Sequence, residues 1–190
     1  DSLYMNNPGD DATVAICKVC TPCIAHIMVG PPVHRNDDEQ VVRSLLRAEG
    51  KKIVCGGTTS QIVSRVSGQP LEASLNYISP DVPPVASIKG IDLATEGIIT
   101  LGKTLEHLQR YQNGQIGREN TLKHPKDGAS LLAKILIEQC TGINFIVGRA
   151  LNPAHQNSDL SIDLNLKLRL VTEIAQILRM MDKHVTVNYI

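Results

Sequence analysis

The stretch Lys51-Lys52-Ile53-Val54-Cys55-Gly56-Gly57-Thr58-Thr59-Ser60-Gln61-Ile62-Val63 constrains the fold more than any other. A short apolar run meets two glycines and three hydroxyl residues, and apolar positions at helical spacing follow at once. That is the pattern of a strand, a tight turn and a helix start. Glycine lets a backbone turn sharply and approach a ligand closely. The unpaired amides of a helix's first turn carry partial positive charge and suit an anion. Two readings stay open for this turn. It is an anion cradle built on Gly56, Gly57, Thr58 and Thr59, or a plain corner in which Thr59 or Ser60 caps the helix.

The same alternation recurs along the chain. Runs of strand character lie at 12–19, 23–30, 52–55, 71–78, 143–148 and 184–190, with 85–91 extended and 143–148 expected to be buried on both faces. Between them lie helical patterns. Asn36 and Glu39 have the spacing of a capping box for a helix carrying Val41, Val42, Leu45 and Leu46, which Gly50 closes. Gly68 ends the helix that starts after Gly57. A further helix runs from Asp92 through Ile98, Leu101, Leu105 and Leu108. Asp127 or Ser130 caps one with Leu131, Leu132, Ile135 and Leu136 that Gly142 ends, and the longest carries Leu164, Leu168, Val171, Ala175 and Leu178. The prolines of Ser79-Pro80-Asp81-Val82-Pro83-Pro84 impose a loop, and the polar stretches 109–126 and 149–163 read as exposed connections. Strands alternating with helices predict an α/β fold: three layers, a mostly parallel sheet of about five strands and helices on both faces.

Charge and composition exclude several classes of partner. Lys plus Arg and Asp plus Glu number 19 each, so no overall field draws in nucleic acid or an anionic membrane. One Phe, four Tyr and no Trp leave little with which to stack bases. No apolar run approaches membrane-spanning length and no basic-then-hydrophobic leader opens the chain, so the expected location is cytoplasmic. Five cysteines without a secretory signal read as free thiols. The chain begins with Asp1 rather than Met, which suggests a fragment of a longer protein.

Three motifs invite specific chemistry. Gly97-Ile98-Ile99-Thr100-Leu101-Gly102-Lys103-Thr104 satisfies the phosphate-loop pattern literally, yet Ile98, Leu101, Leu105 and Leu108 fall at helical spacing straight through it. Cys17, Cys20 and Cys23 stand at iron-sulfur spacing with His26 beyond, but the fourth thiolate is missing locally. Cys55 sits at a strand end before a helix, where a thiol can be activated. A cysteine phosphatase loop would place Arg at position 61, which is Gln. Two other loops are expected to join the opening turn at one sheet end, where ligands bind in parallel sheets. One offers Asp92, Thr95, Glu96 and Gly97, the other Arg149, Asn152, His155 and Gln156.

Gly9-Asp10-Asp11-Ala12-Thr13-Val14 resembles the last motif of the metal-dependent serine/threonine phosphatases, in the bacterial branch named after stage II sporulation protein E. The chain after it is similar to the C-terminal extension of some members. The matching stretches are Gly30-Pro31-Pro32, Glu49 to Thr59, Val82-Pro83-Pro84, Gly90-Ile91-Asp92-Leu93-Ala94-Thr95-Glu96-Gly97 and Phe145-Ile146-Val147-Gly148. The resemblance implies that Asp10 is a ligand of catalytic manganese or magnesium in the parent hydrolase. It also implies that residues 1–22 are a remnant of the phosphatase domain and that residues 23–190 form a C-terminal regulatory module. The further acidic ligands that the two-metal chemistry needs lie in a preceding domain, so no cofactor is expected in this chain alone. The expected partners are that phosphatase domain and a small anionic ligand, with homodimerisation open. A purely structural or dimerisation module and a phosphate-loop nucleotide enzyme using Lys103 are the alternatives. The chain alone should not hydrolyse a phosphoserine peptide in manganese, and measurable release of phosphate would overturn the inactive assignment.

Overall fold

A computed structural model describes residues 14–17, 19, 21–73, 83–115, 127–150 and 160–190, with the side chains of residues 73 and 160–163 left aside. Among the described residues, seven strands form one sheet: β1 (Ile24–Val29), β2 (Lys51–Cys55), β3 (Glu72–Ala73), β4 (Ala86–Ser87), β5 (Leu93–Thr95), β6 (Gly142–Val147) and β7 (His184–Tyr189). Their spatial order is β3-β4-β5-β2-β1-β6-β7. The five strands β5, β2, β1, β6 and β7 run parallel, while the two-residue strands β3 and β4 extend one edge antiparallel. The helices are α1 (Asp38–Arg47), α2 (Gly57–Ser67), α3 (Ile98–Gln112), α4 (Gly128–Lys134) and α5 (Leu160–Met180), and α4 continues as a π-helical turn over Ile135–Gln139.

Successive strand side chains point to opposite faces, and the apolar residues divide accordingly. Ala25, Ile27, Val29, Ile53, Cys55, Leu93, Ile143, Phe145 and Val147 join one buried cluster with residues of α3, α4 and α5. Met28, Val54 and Ala94 join a second with Val42 and Leu45 of α1 and Val63 of α2. The chain steps one way from β1 through β2 to β5, then returns past β1 to β6 and β7. Parallel crossovers are overwhelmingly right-handed, so reversing the direction of travel moves the helices to the other face.

Several local expectations hold. Asp127 and Ser130 form a capping box at α4, with Ser130 N donating to Asp127 Oδ1 at 2.9 Å and Asp127 N to Ser130 Oγ at 3.2 Å. Gly68 ends α2 in the left-handed region. Other expectations are corrected. A 3-10 turn over Arg35–Asp37 starts α1 later than Asn36 would, so Glu39 pairs with Arg43 instead of closing a capping box. Thr59 and Ser60 lie inside α2, whose N-cap is Gly56. Leu93–Thr95 is a strand, so the helix expected from Asp92 begins at Ile98. At the other end, α3 extends to Gln112, into the stretch expected to be a connection. Only Glu72–Ala73 of the run at 71–78 is a described strand, and within 85–91 the strand is Ala86–Ser87.

The strand β6 is buried on one face only. Ile143, Phe145 and Val147 are buried, whereas Asn144 and Ile146 are half-buried. Helices α1 and α2 pack their buried residues over Met28, Val54 and Ala94, while α5 joins the opposite cluster. On the side left open, Asn144 Oδ1 accepts from Thr186 Oγ1 at 2.9 Å and from Asn188 Nδ2 at 2.8 Å. The run expected as a strand at 12–19 is irregular at its described residues. Its side chains stand in solvent, with Val14 82%, Ile16 91% and Val19 93% exposed. Phe145 is the largest fully buried side chain among the described residues. Phe145→Ala should cost about 3–5 kcal/mol in denaturant unfolding, and a loss under about 1 kcal/mol would show that the core does not depend on it.

Candidate ligand site at the carboxyl end of the sheet

Because β2, β5 and β6 are parallel, the turns after them lie at the same end of the sheet. The opening turn and the loop after β5 touch directly: Gly56 N donates to Thr95 O at 2.9 Å, and a side-chain carbon added at Gly97 would lie 3.6 Å from Gly56 Cα. The loop after β6 is linked to them through the turn after β1. Gly30 N lies 3.4 Å from Cys55 O as a long hydrogen bond, while Gly148 N donates to Val29 O at 2.9 Å and Ala150 N to Pro31 O at 3.3 Å. The turn Gly30-Pro31 is thus the middle of the site. It follows the central strand at the point where strand order reverses, which is where open parallel sheets leave a crevice.

Helix α2 presents an uncapped N-terminus here. Gly56, with φ of 123°, takes a backbone conformation that disfavours any side chain, and no side chain caps the helix. The first helical bond is made by Ser60 N to Gly56 O, so the amides of Gly57, Thr58 and Thr59 precede the internal ladder. The first turn contains no acidic residue. Gly57 and Thr58 are exposed, whereas Thr59 is buried and its Oγ1 has no hydrogen-bond partner. That hydroxyl lies 2.9 Å from where a Cβ on Gly56 would be, so it faces the glycine corner.

The next loop differs in charge. Thr95 is buried and its Oγ1 donates to Glu96 O at 2.8 Å. Gly97 is the N-cap of α3, and Glu96 Oε2 accepts from Ile99 N at 3.2 Å, so this helix end already faces a carboxylate. Thr100, in the first turn of α3, is buried with an unpartnered Oγ1, as Thr59 is in α2. Asp92 does not belong to the site. It precedes β5 and therefore sits at the opposite end of the sheet. There Asp92 Oδ2 accepts from Lys52 N at 2.9 Å and Oδ1 pairs with Lys51 Nζ at 2.9 Å. The three residues of β5 separate it from Glu96.

In the loop after β6, Gly148 lies so close to the β1 turn that an added Cβ would stand 1.9 Å from Pro31 O. Only glycine permits that approach. Arg149 is exposed, and its amide donates to Ile190 O at 2.9 Å. From α5, Lys167 Nζ donates to Gly148 O and occupies the space beside Gly30. Burial holds its amine below the usual lysine value. The sequence offered no sign of Lys167, since a lysine at helical spacing reads as surface. Asn152, His155 and Gln156, with Asp10 at the other end of the chain, lie outside the described residues.

The other motifs resolve as local structure. A buried strand does precede Gly97, but residues Ile98 to Thr104 are helical and Lys103 pairs with Glu106 at 3.1 Å. No phosphate loop forms. Burial pushes the Cys55 thiol up to about 12, which leaves no thiolate for nucleophilic chemistry. Cys17 is exposed and Cys20 lies outside the described residues. Among the described residues no group of three or more His, Cys, Asp or Glu side chains is placed to hold a metal ion. Nor is any helix among them long and apolar enough to cross a membrane.

Burial acts to raise the Asp92 carboxyl, but the Lys52 amide and the Lys51 ammonium outweigh it and hold the group below its ordinary 3.8. A depressed folded-state value adds stability above the ordinary value that is lost as pH falls through the lowered one. Asp92→Asn should therefore be less stable than the parent at neutral pH and lose less on acidification below 3.8. Parallel stability profiles against pH would show that the Lys51 pairing contributes nothing. Compared with known proteins, the chain matches no family model, no curated protein and no solved structure.

Proposed function

We propose that the chain is a three-layer regulatory module of a stage II sporulation protein E-like serine phosphatase, which binds a small anionic ligand at the carboxyl end of its sheet and does no hydrolysis itself. The observation that carries the ligand reading is the first turn of α2. It is uncapped, free of acidic residues, opened by Gly56 at a φ reserved for glycine, and backed by the unpartnered hydroxyl of Thr59. A phosphate oxygen there would accept from the amides of Gly57 and Thr58 and from the Thr58 hydroxyl. Arg149 supplies counter-charge from across the crevice. Glu96 bars a second anion from α3 and suits a hydroxyl on the same ligand, as in a sugar phosphate.

The regulatory reading draws on the resemblance of the chain to the phosphatase branch and on residues 14–19, whose exposed β-branched side chains are suited to packing against the preceding phosphatase domain. Manganese or magnesium would belong to that domain with Asp10. The described residues supply no acidic cluster for it, and no step is assigned to a metal in this chain. A cytoplasmic location fits such a role. Calorimetry of the chain with phosphate-bearing sugars and nucleotides should show binding that Thr58→Ala and Arg149→Ala each weaken about fivefold, the loss of one hydrogen bond or exposed charge contact. Binding equal to the parent in both variants would remove the ligand from this end of the sheet.

A further inference from the structure

The amino end of the sheet, opposite the ligand site, brings together two cysteines that are 117 positions apart in sequence (140 − 23). Cys23 immediately precedes β1, and Cys140 lies between the π turn and β6. The two strands are hydrogen-bonded neighbours, with Ile24 opposite Gly142. Just before them Cys23 N donates to Thr141 Oγ1 at 3.0 Å, and Thr141 N donates to Cys23 O at 2.8 Å. Cys140 is thus one residue off the direct partner of Cys23, and both side chains pack in the same apolar cluster. Neighbouring strands stand about 4.8 Å apart and a one-residue offset adds a shift of about 3.3 Å along them, which puts such Cα atoms about 5.8 Å apart, within the ~4.4–6.8 Å that a disulfide spans. Residues so placed can be bridged without rearranging the backbone.

The surroundings suit thiol chemistry. Cys23 is half-buried and open to a small reagent, while Cys140 is buried. Two ammonium groups stand by: Lys183 Nζ donates to Ile137 O at 2.9 Å and to Cys140 O, and Lys51 lies near both cysteines. Burial pushes the Cys140 thiol up to about 12, and the charge of Cys23 and a hydrogen bond to it add to the rise, against the opposing pull of Lys183 and Lys51.

We propose that Cys23 and Cys140 are a redox-modification site, converted by a peroxide into a disulfide across the β1–β6 ladder. Cys23 gives up its proton, the thiolate attacks one oxygen of hydrogen peroxide, an S–O bond forms, the O–O bond breaks, and the departing hydroxide takes up that proton as water. Cys23 is then a neutral sulfenic acid, so its charge no longer opposes ionisation of Cys140, while both ammonium groups remain. Cys140 loses its proton and attacks the Cys23 sulfur. The S–S bond forms, the S–O bond breaks, and the departing hydroxide takes up that proton as a second water. Two thiols give up two electrons, and the peroxide is reduced to two waters. The bridge pins the chain entering β1 to the strand beside it. This site stands independently of the ligand reading.

The test treats the full chain with hydrogen peroxide, blocks remaining thiols, digests without reductant and maps the linked peptides by mass spectrometry. A peptide pair joining Cys23 to Cys140, the loss of two free thiols and their return on reduction are expected, with the same pair retained in Cys55→Ser. In folded Cys140→Ser the Cys23 sulfenic acid should persist and be trapped by a dione probe. Linkage of Cys23 to Cys17 or Cys20, or a Cys140 that still reacts with the blocking reagent after Cys23 is oxidised, would overturn the proposal.

Discussion

Everything in this fold depends on β1 being hydrogen-bonded on both edges by parallel neighbours and covered by apolar residues on both faces. Ala25, Ile27 and Val29 go into one buried cluster and Met28 into the other, and each of the four is essentially inaccessible to solvent. A strand so enclosed must feed two crossovers that leave in opposite directions. That reversal puts α1 and α2 on one side of the sheet and α3, α4 and α5 on the other. It also packs Gly148 against the Gly30-Pro31 turn at the carboxyl end of the sheet, where the chain changes direction.

At the carboxyl end, two helices meet the same corner with different electrostatics. Helices α2 and α3 both begin at glycine, and each buries an unpartnered threonine hydroxyl in its first turn. The α3 end is already answered by Glu96, whereas the α2 end is answered by nothing among the described side chains. The positive end of α3 is thus offset within the chain, while that of α2 faces no carboxylate among the described side chains. Lys167 reaches the same end of the sheet from α5 and donates to Gly148 O, which ties down the loop that carries Arg149.

The opposite end of the sheet carries different chemistry, about 20 Å away along the six residues of β1. Asp92, Lys51 and Lys52 form a charged group there, and Cys23 and Cys140 lie beside Lys51 and Lys183. The π-helical turn after α4 fits this setting. It leaves the carbonyls of Ile137 and Cys140 to be satisfied by Lys183 rather than by a further turn of helix.

The sequence by itself determined the alternation of strands and helices, because side-chain period and helix caps are local properties of the chain. A cap at Asp127 or Ser130, the Gly68 terminus and the turn at Gly56 were all legible in that way. The helical spacing of Ile98, Leu101, Leu105 and Leu108 spoke against a phosphate loop without removing it as an alternative, and the helix formed there decides the matter. Three-residue β5 was not legible, since a run that short shows no period, and Asp92 was placed at the wrong end of the sheet as a result. Only the tertiary structure decided which strands are neighbours. Strand order set Gly30-Pro31 between the loops at 56 and 148, brought Lys167 under Gly148, and joined Cys23 to Cys140. Hydrophobic periodicity says which face of a strand is buried and nothing about the strand on either side.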